Sequence, residues 1–140
     1  GTDAAHLKSL VHEFSLQHSV TFTGRVSDED LVQLHKVGTV FCMPSPAELQ
    51  SIATLEAMAS GQPVVAVDAG ALKELCQHRR NGFLCQQDDD EQIADGLSRV
   101  IDDSALRAEF AKESLAIAKT HDIRTTLERF ESIYTSLIND

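Results

Sequence analysis

Two glutamates with a predicted helix start between them are the residues best suited to bind a ligand. Glu48 lies in a loop after an apolar run, and Glu56 follows eight positions later, where the spacing is helical. A carboxylate accepts hydrogen bonds from neighbouring hydroxyls, and a helix start offers free N–H groups to phosphate. Two carboxylates around such a helix start suit a ligand with sugar hydroxyls on either side of a diphosphate, as in a nucleotide sugar. Taken alone, the same pair also fits a solvated loop and a helix-surface charge.

Short apolar runs alternate with segments of helical spacing, which predicts an α/β fold with a Rossmann-like parallel sheet and flanking helices. In such sheets ligands bind at the carboxyl ends of the strands, where the Glu48 loop would lie. Four strands are predicted, at 20–23, 39–43, 63–67 and 83–85. The apolar stripes that predict helices lie within 7–14, 31–37, 51–60, 71–76, 93–101, 106–115 and 123–137.

Several local signals set the predicted helix ends and faces. Ser27 and Asp30 resemble a capping box, and Ser51 offers an N-cap hydroxyl to the helix that follows Glu48. In that helix the spacing places Ile52, with Leu55 and Ala59, on the buried side. Glu56 would then share its side with core residues, which is unusual for a charged side chain.

Composition excludes several classes of protein. The 140 residues carry a formal charge of −10, which argues against an exposed nucleic-acid surface. No apolar run is long enough to predict a membrane span, and no leader is evident.

Three cysteines without a C-x-x-C pair predict reduced thiols in a cytoplasmic setting. The histidines show no metal-ligand spacing, and residues 88–90, three aspartates, predict a turn and helix cap rather than a metal site.

An ordered set of motifs resembles the donor-binding half of the retaining glycosyltransferases with the GT-B fold. The E-x7-E signature followed by A-M-A-x-G-x-P-V-V spans 48–65. Four further segments follow the family's pattern in the same order, namely V-x-F-x-G-x-V at 20–26, the strand end with Pro-Ser at 41–45, a G-G-x-x-E-like segment at 69–75 and N-G-x-L at 81–84. The resemblance implies a partial GT-B C-terminal domain that binds a nucleotide sugar.

The resemblance also implies roles for the matching residues. Glu48 would contact hydroxyls of the transferred sugar, and Glu56 would bind the ribose. The backbone amides of Gln50, Ser51 and Ile52 would hold the donor sugar and diphosphate.

The loop formed by Gly24, Arg25 and Val26 would lie against the base, mainly through its backbone. Gly61 and Pro63 match the pattern as structural residues. The family generally needs no metal, so the nucleoside diphosphate sugar is the expected ligand and no cofactor is expected.

The sequence also departs from the family's pattern. The family often has E-G-F-G-L after the first glutamate, whereas this chain has Leu49 and Ser51 at the glycine positions. Ala71 replaces the second glycine of the G-G segment, which predicts a changed turn. The E-x-Q at 48–50 is similar to the subset of the family that acts on lipid acceptors.

The resemblance implies that residues 1–140 form a single domain that is a fragment of the family's donor-binding half. The family's first two strands, its basic diphosphate clamp and its acceptor domain have no counterpart in this chain. In the family's order the two strands lie between the first and second strands predicted here, so the sheet would contain a gap. We expect one of three outcomes: the strands present pair with one another in a new way, a strand comes from another copy of the chain, or the chain belongs to a longer protein.

The expected parent protein is a hexosyltransferase that moves a sugar from a nucleoside diphosphate donor to a glycan or lipid acceptor with retention of configuration. The isolated fragment is expected to be inactive. Three alternatives stay open: a related enzyme such as a nucleotide-sugar epimerase, a non-catalytic nucleotide-binding module, and a receiver-type regulatory domain. Peripheral membrane association of the parent and a homodimer through the amphipathic last helix are further open expectations.

Overall fold

The computed structural model describes residues 3–138. The chain divides into two compact units, one ending at Leu31 and the other beginning at Val32. The helices and strands run, in chain order, as α1 (Ala4–Glu13), α2 (Asp28–Val37), β1 (Phe41–Met43), α3 (Ile52–Ala59), β2 (Val64–Val67), α4 (Leu72–Leu75), β3 (Gly82–Cys85), α5 (Asp90–Asp102), α6 (Ser104–Lys119) and α7 (Ile123–Ile138).

The first unit contains α1 and the start of α2, joined by an irregular segment. The predicted capping box is confirmed, since the amide of Asp30 donates to the Ser27 hydroxyl at 3.1 Å and that hydroxyl donates to the Asp30 carboxylate at 2.7 Å. The strand predicted at 20–23 is wrong, because these residues adopt no strand. A strand is stable only when a neighbour pairs with its backbone, and the described residues of this unit contain no strand.

The second unit contains a sheet of three parallel strands in the order β1-β2-β3. The other predicted strands are therefore confirmed, and they pair with one another in sequence order. Central β2 is buried along its whole length, whereas edge strand β1 is half-buried. The run at 20–23, which the family's order separates from the others, is the one that forms no strand.

Alternating strand residues build a core on each face of the sheet. Val64 and Ala66 of β2 pack in one cluster with Met58 of α3 and with Leu72 of α4. The opposite face buries Val65 with residues of β3, α5 and α6, including an edge-to-face pair of Phe83 and Phe110 with ring centroids 5.4 Å apart. Helices therefore cover both faces of the parallel sheet, as the apolar strands predict.

The last third of the chain is helical, as predicted. Asp89 begins α5 by accepting the amide of Gln92 at 2.9 Å, which confirms the cap predicted for the three aspartates. The α7 helix differs from α5 and α6 because none of its described residues is buried. Among the residues that the structure describes, no helix is long and apolar enough to cross a membrane.

Candidate functional site

The Glu48 loop leaves β1 at the carboxyl edge of the sheet and leads into α3. Glu48 is half-buried, and its backbone carbonyl accepts the amide of Ala71 at 2.9 Å. Ala71 lies in the turn between β2 and α4. The loop after β1 is thus bonded to the turn after β2, and the predicted sugar-contacting glutamate lies at the edge where ligands bind in parallel sheets.

The same turn explains the pattern at 69–75. Gly70 has φ +49°, and a Cβ on this residue would collide with the Glu48 carbonyl oxygen. Ala71 has φ −75°, which any L-residue adopts. The departure from the family's second glycine therefore needs no unusual backbone conformation, and the expected change of the turn is not required.

The start of α3 differs from prediction in how Ser51 is used. Ser51 occupies the N-cap position, but its side chain makes no cap hydrogen bond. Its buried hydroxyl lies 2.7 Å from the Thr54 hydroxyl instead. The hydroxyl expected to cap α3 is thus hydrogen-bonded to another side chain, so it does not accept the backbone amide of Thr54.

Two backbone amides just before α3 are unpaired in the described part of the chain, one on exposed Gln50 and one on buried Ser51. The backbone N–H groups of Gln50 and Ser51 have no hydrogen-bond partner among the residues that the structure describes. The amide of Ile52 donates to the Gln50 carbonyl at 2.9 Å. Of the three amides predicted to hold the donor, two are therefore unpaired and the third is already bonded.

The buried face of α3 is not the predicted one. Thr54, Ala57 and Met58 are buried, whereas Ile52 is 60% exposed and Glu56 is exposed. Thr54 can be buried because Ser51 pairs with its hydroxyl, and a polar residue with a partner can occupy a core position. The side of α3 that carries Glu56 consequently faces solvent, where its carboxylate is accessible to a ligand.

The predicted base-contacting loop lies in the first unit, whereas the other candidate residues lie in the second. Gly24 is exposed with φ +64°, and no heavy atom lies within 4 Å of where its Cβ would be. Arg25 is exposed, and Val26 is half-buried. Within residues 3–138, Arg25 forms no ion pair, so its guanidinium is accessible.

The remaining candidate groups have structural roles. The basic cluster at 78–80 is an exposed turn in which Arg80 pairs with Glu113 at 2.8 Å. The cysteines are free thiols, with Cys76 and Cys85 buried and Cys42 half-buried. In the part of the chain that the structure describes, no group of three His, Cys, Asp or Glu side chains could hold a metal ion.

Two contacts were not predicted from the sequence. The first is the bond between the Glu48 loop and the turn at 70–71, for which the glycine after β2 was the available signal. The second is the burial of Asn81, whose side chain bonds to the amide of Gln77 at 2.8 Å, to the Leu75 carbonyl at 3.0 Å and to the Ser114 hydroxyl at 3.3 Å. In the sequence, Asn81 was only part of the N-G-x-L motif, which gives no sign of these bonds.

Comparison with known proteins finds a matching family and several similar proteins. The family described as glycosyl transferases group 1 matches residues 1–116. An uncharacterised glycosyltransferase of Haemophilus influenzae is 29% identical over 134 residues, which are 95% of this chain and 37% of that protein.

Two solved structures are similar over nearly the whole chain. Sucrose-phosphate synthase from Thermosynechococcus elongatus gives a TM-score of 0.88 at 25% identity, covering 99% of this chain and 35% of its own. The Anabaena protein HepE, in complex with UDP-glucose, gives a TM-score of 0.83 at 28% identity and covers 95% and 36%. The chain thus spans about a third of the length of these proteins.

Proposed function

Because the chain belongs to the group 1 glycosyltransferases, we propose that its parent protein transfers a hexose from a nucleoside diphosphate sugar to a glycan or lipid acceptor, with retention of configuration. One observation carries this proposal. A tethered glutamate, two unpaired amides and an exposed second glutamate follow one another from the carboxyl end of β1 into α3. These are the groups that a sugar, a diphosphate and a ribose would need.

In this proposal the amides of Gln50 and Ser51 bind the diphosphate. Backbone N–H groups at a helix start stabilise negative charge, and the charge on the diphosphate increases as it leaves the sugar. The Ile52 amide would join them only if it gave up its bond to the Gln50 carbonyl. Glu48 would orient the transferred sugar through its hydroxyls, and Glu56 would accept hydrogen bonds from the ribose.

The nucleotide base and the acceptor would be bound by groups other than those at the start of α3. The loop at 24–26 is the candidate for contacting the base, mainly through its backbone. Since HepE was solved with UDP-glucose, a uridine nucleotide is the first donor to test. The acceptor would bind to the part of the protein that lies outside this chain, so the isolated chain is expected to bind donor without turnover.

Calorimetric titration of UDP, GDP and ADP into the chain tests this function. We expect one nucleotide to bind, and Glu56→Gln to weaken it about tenfold or more, because a hydrogen bond to a charged group is lost. Glu109→Gln is the matched control, since Glu109 is also an exposed helical glutamate but lies on α6. This control should leave the affinity unchanged.

Two results would contradict the proposal. If Glu56→Gln and Glu109→Gln weakened binding equally, Glu56 would have no specific part in the site. If no nucleotide bound to the chain, the two unpaired amides and the two carboxylates would not be a sufficient donor site. The same titration with a longer chain containing the upstream strands would then decide whether the parent protein binds donor at all.

A further inference from the structure

We propose that Gly70 and Ala71 form a positioning turn, which holds the backbone of Glu48 and thereby sets where its carboxylate meets the sugar. The inference rests on the proposed function for the role of Glu48. The contacts themselves stand independently of that function. They join the loops that follow two neighbouring parallel strands.

The turn is anchored more firmly than the loop it holds. Gly70 and Ala71 lie between the buried strand β2 and the short helix α4, and Leu72 and Leu75 of α4 are 0% and 4% exposed. The Glu48 loop has little packing of its own, since Leu49 is 98% exposed. Segments with few buried contacts are the ones that open locally, so we infer that the loop depends for its position on the better-packed turn that it contacts.

One hydrogen bond tethers the loop. Among the described residues, the amide of Ala71 is the only group of another element that forms a hydrogen bond with residues 45–50. The other hydrogen bonds of this segment are local, from Ala47 to Ser45 and from Ile52 to Gln50. If the Ala71 bond is lost, no hydrogen bond from another element keeps Glu48 in place.

Steric complementarity reinforces the tether. A Cβ on Gly70 would collide with the Glu48 carbonyl oxygen and would lie 3.0 Å from its carbonyl carbon. These are backbone atoms, so the collision can be relieved only if the loop or the turn moves. Because small misplacement of a group that contacts the reacting part of a substrate can lower catalytic rates about a hundredfold, Gly70 would act on the sugar through Glu48.

The decisive comparison is Gly70→Asn with Gly61→Asn. Both glycines have positive φ, at +49° and +80°, and asparagine tolerates this conformation better than other residues with a Cβ. A Cβ on Gly61 would approach only the Leu115 side chain, at 3.7 Å. The two variants therefore share the backbone conformation and differ in the collision with Glu48.

Two readouts are expected to separate these variants. In ¹⁵N NMR spectra, Gly70→Asn should shift the amides of residues 48–51 and remove the exchange protection of the Ala71 amide, whereas Gly61→Asn should do neither. The affinity for UDP-glucose should fall about tenfold or more in Gly70→Asn and less than about twofold in Gly61→Asn. Equal losses of thermal stability in the two variants would show that the difference in affinity is not a difference in folding.

Ala71→Pro gives the same test if Gly70→Asn fails to fold. Proline suits the φ of −75° at this position and lacks the amide that bonds to Glu48. The positioning turn would be overturned if the signals of residues 48–51 were unshifted in both Gly70→Asn and Ala71→Pro. It would also be overturned if those signals shifted while the affinity for UDP-glucose stayed unchanged. If the unsubstituted chain failed to bind UDP-glucose, the proposed donor would be wrong, while the NMR comparison would still decide whether Gly70 places Glu48.

Discussion

At Glu48 the backbone makes the contact that defines the position of the residue. Its carbonyl is bonded to Ala71 and faces Gly70, while its side chain is left half-buried at the sheet edge. Glu56 is placed differently, by the exposed side of α3. One candidate group is thus held by a turn and the other by a helix, and neither has its carboxylate engaged in an ion pair within the described residues.

Asn81 is the residue whose substitution should destabilise the fold most clearly. It is fully buried, and its amide group bonds to three other residues, two of them just before it in the chain and one on α6. Asn81→Ala leaves the Gln77 amide and the Leu75 carbonyl without these partners, and we expect a loss of about 3 kcal/mol in the free energy of unfolding. Urea denaturation measures this loss.

The control is Ser114→Ala, which removes only the longest of the three bonds. The hydroxyl of Ser114 accepts from Asn81 at 3.3 Å, and its removal should lower the free energy of unfolding by about 1 kcal/mol. A loss in Asn81→Ala no larger than that in Ser114→Ala would mean that the bonds to Gln77 and Leu75 contribute little to stability.

At the scale of secondary structure, α6 begins with a side-chain cap and α3 does not. Asp103 accepts the amides of Ala105 and Leu106, both at 2.9 Å, at the start of α6. Ser51 occupies the equivalent position before α3 but bonds to a side chain. The same type of position thus caps one helix and leaves the other without a side-chain cap.

Asp103→Ala should lower the free energy of unfolding by about 1 kcal/mol, because two amides at the start of α6 lose their acceptor. Its neighbour Asp102 provides a matched control, since it is also exposed, lies at the end of α5, and has a carboxylate that forms no hydrogen bond or ion pair within residues 3–138. Asp102→Ala should change the stability little, as measured by thermal denaturation. Equal effects of the two substitutions would indicate a change in net charge rather than the loss of a cap.

The sequence predicted most elements because their signals are local. The capping box at Ser27, the three aspartates at the start of α5 and the continuous apolar run of β2 each depend on neighbouring residues. The prediction for α3 failed because its face depends on the pairing of Ser51 with Thr54. The spacing predicts that Ile52 faces the core, whereas the structure buries Thr54, whose hydroxyl has a hydrogen-bond partner.

In the second unit, burial changes the chemistry of the thiols. Cys76 lies in the core beside β2 and α4, and burial, with a smaller contribution from Cys85, raises the pKa of its thiol from 9.0 to about 12. The thiol therefore stays protonated in the folded protein at pH values where the unfolded chain ionises. Stability should then be constant below pH 9 as far as this group is concerned, and should decline from pH 9 towards pH 12.

Urea denaturation at pH 8 and pH 10 tests this pH dependence. Between pH 8 and pH 10, the free energy of unfolding of the unsubstituted chain should fall further than that of Cys76→Ala. The additional fall should be at most about 1.4 kcal/mol per pH unit. Cys76→Ala also creates a cavity, but the loss from the cavity is the same at both pH values and cancels in the comparison. Parallel losses in the two proteins would show that the Cys76 thiol ionises in the folded state.

The whole chain shows which properties were decided by the sequence and which by the tertiary structure. Periodicity, caps and turn residues determined the helices and three strands by themselves, and the ordered motifs determined the family, because these signals are carried by residues close together in the chain. The tertiary structure decided that residues 20–23 form no strand, that Glu56 faces solvent and that Gly70 abuts Glu48. These outcomes depend on contacts between residues that are distant in the sequence, and local spacing does not predict such contacts.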